Sequence, residues 1–261
     1  MAIAKATIPI LEEFVTVQGE GLNVGKPYYF IRVGGCPLRC NFCDSEYSWT
    51  PQATSIMSIS DAVEKAIRAC RTNNIEWISI TGGEPLIYPA QLKIMMAAFN
   101  DAGLKVHIET SGRFYDAEVH SMSALYSPDA KTPCTGEQME GYFKGLVNMR
   151  PCDQVKCLVS DYNDLAYAHQ VNRALDGRCT MVLQPFNTNI FTNTTKNMST
   201  AMRETKPNEP VQKNVLRSNL CNSLRWLLEA YQRSTESGEV WNKVIITPQI
   251  HVLAFGNEPS R

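Results

Sequence analysis

Along most of the chain, short β-rich runs alternate with stretches of helical period. "YYFIRVGG" (28–35) is a run of aromatic and β-branched residues closed by two glycines. "SISDAVEKAIRACRTN" (58–73) sets Ile59, Val63, Ala66, Ile67 and Cys70 at helical spacing, and Ser58 with Asp61 predicts a capping box at its start. "EWISITGGEP" (76–85) predicts a strand ending in a glycine turn, and "PAQLKIMMAAFNDAG" (89–103) a helix closed by Gly103. "KVHIETSG" (105–112), "SALYSPDA" (123–130), "DQVKCLVSD" (153–161) and "RCTMVLQP" (178–185) predict further strands, with a helix over "DYNDLAYAHQVNRALDG" (161–177). A long helix over 212–236 carries Val215, Leu216, Leu220, Leu224, Leu227, Leu228 and Tyr231 on one face, and "NKVIITPQIH" (242–251) predicts a last strand.

Strand–helix alternation predicts an α/β fold with parallel strands and crossover helices. In such folds ligands bind at the carboxyl ends of strands. Here those ends read "GGC", "TGGEP", "ETSG", "SPDA", "VSD" and "QP", so polar and glycine-rich residues collect where a ligand is expected. The stretch 187–214, rich in Asn and Thr, breaks the rhythm and reads as a polar insertion. The chain otherwise reads as a single domain over 1–261 with a short C-terminal extension, "FGNEPSR".

Composition narrows the class. A chain of 261 residues, 44% hydrophobic, is long enough for one full core. A net charge of −1 gives no field favouring nucleic acid or a membrane surface. No apolar run approaches a membrane span, and "MAIAKATIPILEEF" lacks the apolar centre of a signal peptide, so the cytoplasm is the expected address. Nine cysteines, an odd number, do not suggest a disulfide framework in such a chain. Six of them (Cys70, Cys134, Cys152, Cys157, Cys179, Cys221) are scattered and read as small buried hydrophobes or loop thiols.

The remaining three are clustered. "GGCPLRCNFCDSEYSW" (34–49) spaces Cys36, Cys40 and Cys43 as C-x3-C-x2-C, and thiolates so spaced can wrap a soft metal or cluster on one loop. A structural zinc site takes four ligands, and no fourth stands at a partnering distance in the sequence. Three ligands leave one coordination position open for chemistry or for a small molecule. "TGGEP" follows at the next strand end, where Gly82 and Gly83 leave backbone groups open to a close ligand and Glu84 adds an acceptor.

Together, C-x3-C-x2-C and "GGEP" resemble the radical S-adenosylmethionine (SAM) superfamily. "LEEFVTVQGEGLNVGKPYYFIRVGGCPLRCNFCDSEYSW" (11–49) is similar, nearly end to end, to the 7-carboxy-7-deazaguanine synthase family. The matching positions are Glu13, Phe14, Thr16, Gln18 to Gly21, Gly25–Lys26–Pro27, Phe30–Ile31–Arg32 and Cys43–Asp44–Ser45. "ETSG", "SPDA", "VKCLVSD", "LQP" and "PQIH" extend the resemblance over 10–186 and 242–251. It implies a partial (β/α) barrel of about six parallel strands. It also implies a [4Fe–4S] cluster held by three cysteines, with SAM on the fourth iron. The expected reaction converts 6-carboxy-5,6,7,8-tetrahydropterin to 7-carboxy-7-deazaguanine with loss of ammonia, a step toward deazapurine nucleosides. Mg2+, an electron donor such as flavodoxin and a homodimer are implied too.

Residue roles follow by position. Cys36, Cys40 and Cys43 are expected to ligate the cluster. Gly82, Gly83 and Glu84 are expected at the SAM amine, with Glu109, Thr110, Ser127, Ser160 and Gln184 as further SAM residues. Ser45 matches a hydroxyl ligand for Mg2+. Arg32 suits the pterin carboxylate, Gln18, Gly19 and Glu20 the pterin edge, and His251 could reach the substrate from the C-terminal segment.

Each residue also has a plainer reading: a salt bridge for Arg32, a turn cap for Ser45, turn formation for Glu109 and Ser127. His107, His120 and His169 read as structural or exposed, and Trp77, Tyr28 and Tyr29 as core. The family's S-P-K is here "SPDAK", which displaces Lys131. A glycyl-radical-enzyme activase would share the cysteine loop but not need "QGEG" or Arg32. A non-catalytic iron–sulfur or zinc module would need neither "GGEP" nor polar strand ends.

Overall fold

The computed structural model describes residues 6–41, 43–51, 56–186, 210–250 and 253, with 210–217 described by backbone alone. Its strands are β1 (Thr7–Val17), β2 (Pro27–Val33), β3 (Ile56–Ser58), β4 (Trp77–Gly82), β5 (Lys105–Thr110), β6 (Leu125–Pro128), β7 (Gln154–Val159), β8 (Thr180–Pro185) and β9 (Val244–Ile246). The helices are α1 (Ile59–Asn73), α2 (Pro89–Asp101), α3 (Ala117–Met122), α4 (Tyr162–Leu175) and α5 (Pro210–Glu236).

The strands form a six-stranded sheet, β3-β1-β2-β4-β5-β6, and a three-stranded sheet, β7-β8-β9. From β2 to β6 every pairing is parallel, as is every pairing in the second sheet. An isolated parallel bridge between Asp129 and Lys156 joins the two at the β6 edge. This is the parallel series expected from the alternation of strands and helices. β1 and β3 add an antiparallel margin. β1 escaped the sequence reading because its proline and paired glutamates, "TIPILEEFVTV", interrupt a clean period of two.

Alternation along each strand sorts side chains to two faces. Ile31, Val33, Ile78, Ile80, Val106, Ile108, Val155, Cys157, Met181 and Leu183 join the helices in one apolar core. The intervening positions carry Arg32, Ser79, Thr81, His107, Glu109, Ser127, Gln154, Lys156 and Gln184. A parallel sheet covered on both faces would be apolar throughout. A polar second face carried by six strands, β2 and β4 to β8, is the side where a ligand is expected.

The helix ends follow local chemistry. Ser58 Oγ accepts from Asp61 N (3.1 Å), as the cap required. Asp116 and Asp161 cap α3 and α4 in the same way. Two expectations need correction. Leu228 of α5 is 48% exposed, and the buried face runs through Leu220, Leu227 and Ala230, because 3.6-residue spacing turns Leu228 away from its neighbour. The last strand is cut to Val244–Ile246, and Lys243 before it has a φ of +47°, outside strand geometry. The expected insertion overlaps α5 at 210–214; its remainder, and His251, lie outside the described residues. Among the described residues no helix is long and apolar enough to cross a membrane.

Candidate cofactor and substrate site at the strand ends

The cysteine loop leaves β2 and folds onto the end of β4. Gly83 N donates to Val33 O (2.9 Å) and Glu84 N to Gly35 O (2.8 Å), while Cys36 N donates to Trp49 O (3.0 Å). A Cβ on Gly83 would stand 2.1 Å from Gly35 O, and Gly82 has a φ of +115°, so only glycines let loop and strand meet this closely. On its other side the loop rests on 133–137: Asn41 N donates to Thr135 O (2.9 Å) and Arg39 N to Glu137 Oε1 (2.7 Å).

All nine cysteines are free, and Cys36, Cys40 and Cys43 are each partly exposed at this seat. Burial raises all three thiols, Cys40 to about 11, with Lys131 opposing the rise there. Metal coordination would supply the positive charge that a buried thiolate otherwise lacks. Among the described residues no group of three or more His, Cys, Asp or Glu could hold a single metal ion. A cluster that takes one thiolate on each of three irons does not require that closeness, and the all-sulfur donor set suits it. At the end of β8, in the second sheet, Gln184 is 1% exposed and its Nε2 has no partner among the described residues. An orphaned buried amide at a strand end fits a polar ligand. The residues present therefore fit a cluster with a polar co-ligand.

Two carboxylates knit the strand ends together. Glu84, fully buried, accepts from Leu86 N (2.9 Å) and Thr110 Oγ1 (2.7 Å) on one oxygen and from Ser111 N (2.8 Å) and Ser111 Oγ on the other. Its carboxylate pins the β4 end to the β5 end and is committed to these internal donors, in place of the expected contact with an amine. Glu109 accepts from Gln18 Nε2 (2.9 Å) and Ser79 Oγ (2.7 Å) through Oε1. Among the described residues its Oε2 makes only a long contact, with Thr81 Oγ1 at 3.5 Å.

The segment after β1 is held just as firmly. Gln18, 3% exposed, accepts from Glu20 N (3.1 Å) while donating to Glu109, so it positions its neighbours. Gly19 O accepts from Ile250 N (3.0 Å), and Glu20 Oε1 accepts from Gln249 Nε2 (2.6 Å). The C-terminal segment thus reaches the QGEG turn two residues before His251. Glu20 Oε2 meets Lys156 Nζ at 2.6 Å.

Arg32 donates through Nε to Glu12 Oε1 (2.5 Å), with its guanidinium 5.9 Å from the Tyr47 ring. That salt bridge is the plain reading realised, and it engages the Nε corner of the guanidinium. Ser45 is buried, with Oγ 3.9 Å from Cys43 Sγ, at the start of a turn over Glu46–Ser48. Ser127 Oγ accepts from Gln154 Nε2 (2.9 Å), and Ser160 Oγ donates to Asp164 Oδ2 (2.8 Å) beside the α4 cap. Ser160 therefore belongs first to a capping network. The sequence reading missed Ser111, Lys156, Asp129 and Gln249. Strand period two marked Lys156 as facing away from the apolar core; nothing local marked the others.

The family model described as the radical SAM superfamily matches residues 30–125. A 7-carboxy-7-deazaguanine synthase of Pyrobaculum aerophilum is 38% identical over 112 residues, 42% of this chain and 49% of the relative, so the chain spans about half the length of that relative. One of Methanospirillum hungatei is 33% identical over 170 residues, 65% of this chain and 69% of the relative. The crystal structure of QueE from Escherichia coli superposes with a TM-score of 0.55 at 23% identity, covering 70% of this chain and 87% of that one, a likeness of fold alone. With two thirds of the Methanospirillum enzyme matched, the chain belongs to the 7-carboxy-7-deazaguanine synthase family.

Proposed function

We propose that the protein is a radical SAM lyase that converts 6-carboxy-5,6,7,8-tetrahydropterin to 7-carboxy-7-deazaguanine with loss of ammonia. The observation that carries this reading is the cysteine loop seated on the Gly82–Gly83 ledge, with Arg32 on the polar strand face and Gln18 and Glu20, from the segment after β1, bonded to Glu109 and Lys156 of that face. When bound, the cluster and SAM supply a 5′-deoxyadenosyl radical able to take hydrogen from the substrate. Cys36, Cys40 and Cys43 hold the cluster. Gly82 and Gly83 present backbone groups to the SAM amine, and Gln184 offers its Nε2, which has no partner among the described residues. Thr110, Ser127 and Ser160 act through the networks that shape the strand ends.

Arg32 takes the pterin carboxylate through its Nη edge, since guanidinium binds carboxylate bidentately. Glu20 accepts from the donors of the pterin edge, held in place by Gln18, Gln249 and Lys156. Glu109 Oε2, bound only loosely by Thr81, is the acceptor best able to receive a proton as ammonia leaves. Ser45 supplies a hydroxyl for Mg2+, a hard cation that prefers oxygen. His251 acts from the C-terminal segment. We place the enzyme in the cytoplasm as a single-domain homodimer fed by an electron donor such as flavodoxin, without direct contact to nucleic acid.

The test is anaerobic. The reconstituted protein is given SAM, reductant, Mg2+ and 6-carboxytetrahydropterin, and 7-carboxy-7-deazaguanine is sought by mass spectrometry. Product is the expected result. SAM cleavage without deazaguanine would keep the radical chemistry and remove the substrate, as for an activase. Zinc in place of iron, with no cleavage, would leave a binding module.

A further inference from the structure

Four charged side chains form a ladder across the seam between the two sheets. Lys131 Nζ lies 2.7 Å from Asp129 Oδ2, Asp129 Oδ1 lies 3.5 Å from Lys156 Nζ, and Lys156 Nζ lies 2.6 Å from Glu20 Oε2. Asp129 and Lys156 are also backbone partners in the bridge that joins the sheets. The signs alternate and sum to zero, the condition under which ionised groups can be withdrawn from water. Both lysines and Glu20 expose no more than 16% of their side chains.

Neither the cysteine loop nor the β4–β5 ledge requires Lys156. Its hydrogen bond goes to Glu20. Gln249 holds the other oxygen of the same carboxylate at 2.6 Å. The two grips come from positions 136 and 229 residues away, so the aim of Glu20 is a product of tertiary structure alone. Each carboxylate oxygen has two acceptor positions, so a carboxylate gripped at both corners can still accept a parallel pair of donors. A 2-amino-4-oxopteridine offers such a pair in its amino group and the adjacent ring N–H. A 2-oxo analogue replaces one of these donors with an acceptor.

Resting on the deazaguanine synthase reading, we propose that Lys156 is a positioning residue that fixes Glu20 so that its carboxylate selects the two-donor edge of the pterin. Without the ammonium, Glu20 loses an anchor and the cation that separates its charge from that of Asp129. The carboxylate then has no single orientation, and discrimination at the 2-position falls.

The test uses protein loaded with cluster and SAM but no reductant, titrated with 6-carboxypterin and with 6-carboxylumazine, its 2-oxo analogue. Binding is read from ligand fluorescence. The wild type should prefer the pterin by on the order of 100-fold, the scale of a buried hydrogen bond rejecting a mismatched group. Lys156→Met should weaken pterin binding by roughly 30-fold and lumazine binding hardly at all, collapsing the ratio to a few-fold. Lys156→Arg, which keeps the charge, should recover much of the ratio and guards against a Met variant that does not fold. A Met variant that keeps the wild-type ratio would overturn the proposal and leave Lys156 a strut of the wall. So would an Arg variant that folds and binds SAM but discriminates no better than Met. If the wild type binds SAM and neither pteridine, the substrate reading itself has failed, and the role of Lys156 falls with it.

Discussion

At the scale of residues, the buried carboxylates dominate. Glu84 takes four hydrogen bonds in a fully dehydrated place, so its loss orphans several donors at once. Glu84→Ala should cost about 3 kcal/mol in urea unfolding, and Glu84→Gln, which keeps one acceptor oxygen, clearly less. His107 gives a pH signature. Burial holds it neutral and lowers its pKa to about 4. The unfolded chain therefore takes up this proton first, near pH 6.5, and the folded chain only near 4. The stability His107 contributes is complete above pH 6.5 and is lost as pH falls toward 4, an effect of order 3 kcal/mol. Denaturant midpoints measured across that window should fall for the wild type and less steeply for His107→Gln. From its place within an apolar strand His107 read as structural or exposed; the structure buries it to 1% exposure on the polar face, with Nε2 unpartnered among the described residues. The sequence could not mark Ser111, whose importance comes from a glutamate 27 residues away.

At the scale of elements, caps and close approaches were legible and packing faces only partly so. Ser58 caps α1 through a bond written in four consecutive residues, and Ser58→Ala should destabilise the protein by about 1 kcal/mol, read from the shift in its urea midpoint. Gly83 is a stronger case. A methyl group there would overlap Gly35 O and push the cysteine loop off its ledge. Gly83→Ala should leave the chain folded but cut iron incorporation on reconstitution by more than half, measured per chain. The faces of α5 were harder to read, since Leu227 and Leu228 are equally apolar and the neighbouring β8 and α4 decide which is buried. β1 was missed for a similar reason: its register is set by pairing with β2 and not by its own period.

At the scale of the whole molecule, the site depends on the chain's return. The segment after β9 delivers Gln249 to Glu20 and Ile250 to Gly19. Removing residues 247–261 should spare the strands and iron loading but weaken 6-carboxypterin binding at least tenfold, measured by fluorescence titration. Unchanged affinity in the truncated protein would mean that the return merely packs.

By itself the sequence determined the strand–helix order, the three thiols, the glycine turn and the chemistry that they imply, because spacing and residue type are local properties. Only the tertiary structure decided which polar groups remain available to a ligand. Glu84 and Gln18 prove to be committed inward, Arg32 is paired with Glu12, and among the described residues Gln184 Nε2 is left without a partner. Lys156 gains its meaning from Glu20 across 136 positions of sequence. A hydrogen bond is a matter of a few ångströms in space, and its partners carry no trace of each other along the chain.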